Sequence, residues 1–146
     1  GDEPLMDIGD IKNLNYQMIN SRSELGTLAS KISDQRLYQN QNVVKVITKE
    51  DLTLSNFPRA INFIRKITNK IQNIYHHLGI YCYQKDTLRK FVSYKQSHNE
   101  IKNKLEQLRA LDNHININVA LAKSSPIGVD TKEDFVAIKK IMEYKS

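Results

Sequence analysis

The sequence predicts an all-α fold: an antiparallel bundle of three long helices plus a shorter C-terminal helix. Apolar residues recur at heptad spacing in the middle of the chain, which indicates a helix that packs along one stripe. Glycine and proline are few, five and three in 146 residues, which disfavours a turn-rich β fold. The length is that of one domain, so we expect a single helical-bundle domain over 1–146, excised from a longer chain. Within it, 1–6 is predicted to be a loose arm and 40–55 an irregular connection.

The central helix is predicted over 56–78. Asn56 can act as its N-cap, Pro58 fits the first turn, and Gly79 suits the residue after its end. Its flanking positions are also apolar, so it needs more than one partner and is expected at the centre of the bundle. The seven residues of the predicted seam are Phe57, Ala60, Ile64, Ile67, Ile71, Ile74 and Leu78.

A first helix is predicted from about Asp7 to Gln39, and a third from about Lys85 into 113–122. Apolar residues repeat every seven positions in the first, and its Gly26 is interpreted as a close crossing with another helix. The last helix is predicted to start at 131–134 with a capping sequence. Its inward-facing residues would be Phe135, Ile138 and Met142.

One β-branched run, 43–47, is the only candidate strand in the sequence. No partner strand is evident, so we interpret the run as an extended segment laid over the bundle. The tetrapeptide that follows, 48–51, repeats at 131–134 and is interpreted both times as a helix start.

The sequence offers no recognisable catalytic chemistry. Phosphate-binding glycine loops are missing, and the four histidines lack the spacing of metal ligands. Cys82 stands between two tyrosines without the glycine-rich turn of a nucleophile. We therefore predict a protein that is not an enzyme, with no catalytic, cofactor-binding or metal-binding residues.

The positive charge is concentrated in the middle of the chain. The net charge is +6, yet residues 52–99 contain eight basic side chains and one acidic one. A solvated helix face usually mixes both signs, so this surface is predicted to bind an acidic protein partner, with the domain acting as a scaffold or subunit of a larger assembly. The residues expected to bind the partner are Arg65, Lys66, Lys70, Arg89 and Lys90.

Two other functions stay open at this stage. The chain could be a secreted or surface-exposed microbial domain that binds and blocks a host protein. It could also bind nucleic acid, since its pI is about 9.4 and tyrosines lie among the basic residues. No apolar run reaches the ~18 residues of a membrane span. The single cysteine favours an intracellular location, while an extracellular one and the oligomeric state stay open.

Overall fold

The computed structural model describes residues 7–67, 71–123 and 140–143, the last of these by backbone alone. This part of the chain contains five short helices and six strands, which form an α/β fold, so the all-α prediction is wrong. In chain order the elements are α1 (Ile8–Ser21), β1 (Leu25–Ser30), α2 (Arg36–Gln39), β2 (Lys45–Thr48), β3 (Ala60–Ile64), β4 (Ile74–Tyr83), α3 (Lys85–Ser93), α4 (His98–Asn103), α5 (Leu108–Asp112), β5 (Ile117–Leu121) and β6 (Lys140–Glu143).

The strands form one mixed sheet with the order β3-β2-β4-β1-β5, and β6 pairs with β4. The ten-residue β4 is the longest strand. It pairs antiparallel with β2 and β1 and parallel with β6. Strand β1 also pairs parallel with β5, and all six of its residues are buried. A strand with covered faces on both sides of the sheet needs no apolar–polar alternation, so β1 carries no period-2 signal.

The predicted central helix is two strands. Residues 60–64 form β3, Asn73 adopts a left-handed φ of 57°, and Ile74 begins β4. Isoleucine is frequent here, and a β-branched side chain packs well on a pleated surface. Gly79 does not end an element, since it lies inside β4. The heptad spacing arose from two strands and their connection.

The predicted start of the first helix at Asp7 is confirmed. The Asp7 carboxylate accepts a hydrogen bond from the Gly9 N–H at 2.8 Å, as an N-cap should. The helix does not continue to Gln39, however, because Arg22 turns the chain with a left-handed φ of 54°. Residues 25–30, predicted to be helical, enter the sheet as β1.

The predicted third helix is divided into several elements. Helix α3 begins at Lys85, as expected, but ends at Ser93, and α4, α5 and β5 follow. The candidate strand at 43–47 overlaps β2, which begins at Lys45, pairs in the sheet and is not an isolated connection. The loose arm at 1–6 and the helix start at 131–134 lie outside the described residues. Where the last helix was predicted to continue, residues 140–143 form β6.

Helices cover both faces of the sheet. On one face, Leu14 and Met18 of α1 pack against Leu28 and Leu78. Gly26 permits this approach, because a Cβ there would lie 2.5 Å from the Met18 sulfur. Gly26 thus marks a close approach, though between a strand and α1. The other face packs against α3, α4–α5 and the segments around them. None of the helices in 7–67 and 71–123 combines the length and apolar character that crossing a membrane requires.

Candidate active site

A row of polar aromatic side chains follows alternate positions of β4. His77, Tyr81 and Tyr83 are 3%, 6% and 4% exposed. The ring centroids of His77 and Tyr81 are 5.5 Å apart, and those of Tyr81 and Tyr83 are 6.2 Å apart. Because side chains alternate along a strand, these three share the face that α3 and α5 cover. The strand therefore places an imidazole and two phenols in one buried row.

A β-bulge in β4 brings Thr27 of β1 to this row. Thr27 lies opposite Tyr81, and Leu28 lies opposite Leu78. The two residues of β4 between Leu78 and Tyr81 therefore have no partner in the β1–β4 register. The fully buried Thr27 Oγ1 is 2.9 Å from His77 Nε2, 2.6 Å from the Ile80 carbonyl oxygen and 3.2 Å from that of Leu78. At the bulge, therefore, a side chain of β1 contacts the imidazole of His77 on β4.

Charged groups from the α4–α5 region border the row. Burial raises the pKa of Tyr81 well above its usual range, and the neighbouring Tyr83 and the negative charge of Glu106 raise it further. Burial also raises the pKa of Tyr83, with Glu106 raising it and Arg109 opposing. Both phenols therefore keep their protons at neutral pH and can donate hydrogen bonds. Perturbed titratable groups of this kind cluster at functional sites.

Two arginines hold the α4–α5 segment. The Arg109 guanidinium lies 4.8 Å from the centre of the Phe91 ring, a cation–π contact. Arg65, just after β3, donates to the carbonyl oxygens of Asn103 and Lys104 at 3.2 and 3.0 Å, at the end of α4. These contacts fix the segment that carries Glu106 beside the sheet.

A cavity of about 250 Å³ lies between β3 and α4–α5. Phe63 lines it, and the Phe63 ring meets the His77 ring edge to face with centroids 4.9 Å apart. The polar side chains of the cavity wall are Asn62, Asn99, Asn103 and Asp112. The Phe63 ring therefore lies between His77 of the row and this cavity.

The row can form hydrogen bonds to a substrate rich in hydroxyl groups. Phenols donate and accept, an imidazole does both on different nitrogens, and the Glu106 carboxylate accepts. Cys82 lies on the opposite face with α1, and burial raises the pKa of its thiol to about 11, so it stays protonated. Among residues 7–67 and 71–123, no three His, Cys, Asp or Glu side chains group as ligands for a metal ion.

The four described residues of the five predicted to bind a partner do not lie on the two neighbouring helices that were expected. Arg65 is half-buried and binds backbone carbonyls, whereas Lys66 is exposed in the same loop. Arg89 and Lys90 are exposed on α3, where Arg89 lies 3.7 Å from Asp86. Lys70 lies outside the described residues. The central helix that was predicted to carry Arg65 and Lys66 is replaced by strands, and the part of the five residues in partner binding stays a prediction.

Sequence reasoning missed the residues of the row. The tyrosines were weighed only as an aromatic addition to a basic surface, and His77 only as a metal ligand. The signal that could have found them is the period-2 placement of His77, Tyr81 and Tyr83 within 74–83. Glu106 and Thr27 carried no comparable signal, since folding brings them from distant segments.

A mixed sheet between helical layers, with buried titratable groups on one face, is typical of α/β enzymes. A model of the cytidylyltransferase family matches residues 1–117, and the chain belongs to this family. It is 38% identical to a 3-deoxy-manno-octulosonate cytidylyltransferase of Bartonella tribocorum. The 143 matched residues are 97% of this chain and 58% of that enzyme. It is 36% identical over 147 residues to the enzyme of the same name from Sinorhizobium medicae, covering 100% and 58%.

A solved structure agrees with this assignment. CMP:2-keto-3-deoxy-manno-octonic acid synthetase complexed with CTP matches with a TM-score of 0.74 and 26% identity, over 94% of this chain and 57% of that one. The chain thus spans a little over half the length of the relatives it matches. The prediction of a non-enzymatic scaffold is wrong, because the family is one of enzymes. The predictions of an acidic protein partner, of a host-protein target and of nucleic-acid binding are wrong for the same reason.

Proposed function

We propose that the protein of which this chain is all or part transfers a cytidylyl group from CTP to 3-deoxy-manno-octulosonate. The observation that carries the proposal is the 38% identity to a relative of that name along 97% of this chain. Because the match covers 58% of the relative, the proposal concerns the full-length protein.

In this reaction a hydroxyl oxygen of the sugar acid attacks the α-phosphorus of CTP. The new P–O bond forms as the bond to diphosphate breaks, and the hydroxyl proton must leave. The solved structure that resembles this chain was obtained with CTP, which supports the same nucleotide here.

The β4 row suits the sugar acid. Such a substrate has several hydroxyl groups, which need donors and acceptors held in place. Tyr81 is protonated at neutral pH, and burial raises its pKa further, so its hydroxyl can donate. The His77 ring and the Glu106 carboxylate supply acceptors beside it. We therefore assign the sugar acid to this row, where these side chains bind and orient it.

The full-length protein tests the proposal directly. Incubation with CTP and 3-deoxy-manno-octulosonate should release diphosphate and yield a product with the mass of the cytidylyl sugar acid. ATP, GTP and UTP in place of CTP, and other 2-keto sugar acids in place of the acceptor, serve as controls. Turnover that is faster with another sugar acid would contradict the assigned acceptor, and turnover with another nucleotide would contradict CTP.

A further inference from the structure

The fully buried hydroxyl of Thr27 has three neighbours and one hydrogen. Two of the neighbours are the carbonyl oxygens of Ile80 and Leu78, at 2.6 and 3.2 Å, which only accept hydrogen bonds. The third is Nε2 of His77 at 2.9 Å, which donates or accepts according to its tautomer.

The donor count leaves one arrangement. If Thr27 donated to the histidine, its oxygen would face the Ile80 oxygen at 2.6 Å with no hydrogen between them. Two oxygens that close, with no hydrogen between them, repel each other strongly in a buried site. The hydroxyl hydrogen therefore goes to Ile80, and Thr27 Oγ1 accepts from His77, whose Nε2 must carry the proton.

We propose that Thr27 is a positioning residue that holds the His77 imidazole in its Nε2–H tautomer, so that Nδ1 is the hydrogen-bond acceptor of the ring. The Phe63 and Tyr81 rings, with centroids 4.9 and 5.5 Å from that of His77, restrict the ring plane. The β-bulge is what brings the Ile80 carbonyl to Thr27. Thr27 thus sets the proton position of the histidine, and the two neighbouring rings help to orient it.

The consequence for substrate rests on the proposed function. In this tautomer Nδ1 only accepts hydrogen bonds, so a group of the sugar acid that reaches it must donate, as a hydroxyl does. A carboxylate oxygen at that nitrogen would meet a lone pair. The tautomer therefore contributes to which group of the acceptor faces β4.

Nitrogen NMR tests the tautomer without any activity. Long-range proton–nitrogen correlation of ¹⁵N-histidine-labelled full-length protein above pH 7 distinguishes the two tautomers, and a His77→Gln variant assigns the signal. We expect His77 to be Nε2–H in the wild type and in Thr27→Ser, and to lose this preference in Thr27→Val. A wild-type His77 protonated on Nδ1, or an unchanged tautomer in Thr27→Val, would overturn the proposal. If Thr27→Val does not fold, a wild-type His77 protonated on Nδ1 would still overturn the proposal.

Thr48→Val is the matched control. Thr48 is also a buried strand threonine, and its hydroxyl donates to the Glu50 carbonyl oxygen without contacting a histidine. The Thr48→Val variant should lose stability as Thr27→Val does, but it should keep the His77 tautomer of the wild type. In kinetic assays Thr27→Val should raise KM for the sugar acid about fivefold, Thr27→Ser should restore it, and KM for CTP should not change. If the wild type does not turn over this substrate, the proposed function fails while the NMR result still stands.

Discussion

Arg109 of α5 binds Glu100 of α4 through two hydrogen bonds, from Nε to Oε1 at 2.8 Å and from Nη2 to Oε2 at 2.6 Å. The two side chains are 14% and 6% exposed. Glu100 Oε1 also accepts from the Ser97 N–H at 3.0 Å and so completes the capping box of α4. The hydrogen bonds from Arg109 hold the pKa of Glu100 below its usual range. One carboxylate thus joins α4, α5 and the contact of Arg109 with Phe91.

Removal of this carboxylate should destabilise the protein. Glu100→Ala leaves the Arg109 charge largely buried without its partner, a loss of about 3 kcal/mol in the free energy of unfolding. Urea denaturation measures it. The control is Arg36→Ala, which removes the ion pair with Asp34, whose side chains are 91% and 42% exposed. That variant should barely move the midpoint, and equal effects of the two changes would contradict the burial argument.

Acid should destabilise the protein through His76. Burial, and then the charge of Lys45, lower the pKa of His76 from 6.5 to about 4. Below pH 6.5 the unfolded chain binds a proton that the folded protein does not bind until about pH 4. Stability is therefore full above pH 6.5 and falls as the pH drops towards 4, by about 2 kcal/mol between pH 7 and 5.

The comparison of urea midpoints at pH 7 and 5 tests this effect. His76→Gln should remove most of the loss. His98→Gln, at an exposed position of α4, controls for the removal of a histidine. The Glu100 contribution is lost only below about pH 4.5, because its folded pKa is lowered, so it falls outside this window. A wild-type midpoint that is the same at both pH values would contradict the role of His76.

Gly26 should not tolerate a side chain. A Cβ there would lie 2.5 Å from the Met18 sulfur, 2.9 Å from the Phe57 ring and 3.0 Å from a Leu14 methyl carbon. Gly26→Ala should therefore cost about 1–3 kcal/mol through overpacking. Gly9→Ala, in the exposed first turn of α1, is the control and should change the thermal midpoint much less. A Gly26→Ala protein as stable as the wild type would show that α1 can move away from β1.

Loss of the Tyr81 hydroxyl should weaken the binding of the sugar acid and leave the binding of the nucleotide unchanged. If the sugar acid binds along β4, Tyr81→Phe removes one hydrogen bond and should raise KM for the sugar acid by about tenfold. KM for CTP should stay the same, and steady-state assays of diphosphate release measure both. Tyr16→Phe, with Tyr16 63% exposed on α1, is the control. An increase in KM for CTP alone would place the nucleotide at this row.

Some boundaries could be predicted from the sequence because their causes are local. Asp7 caps α1 through a hydrogen bond to a residue two positions away. Helix α3 starts at Lys85, where the apolar spacing of Leu88 and Phe91 changes to a helical period. In each case the relevant interaction or pattern lies within a few residues.

The helix predicted over the central region is wrong because the structure of this region depends on distant strands. In 56–78 the apolar spacing fits a helix, and nothing local contradicts it. The strands form because Val46 of β2 pairs with Phe63 of β3, and Ser30 of β1 pairs with His76 of β4. Pairing over tens of residues satisfies backbone hydrogen bonds that no local pattern records.

By itself, the sequence determined where α1 and α3 begin, which residues are apolar, and how the charge is distributed along the chain. Only the tertiary structure decided which of those residues face each other. Thr27 and His77 come from separate segments and meet because the β1–β4 register places them on one face, where the charge of Glu106 from the α4–α5 segment acts on Tyr81. Strand pairing and burial are non-local, so the spacing of these residues along the chain does not reveal their proximity.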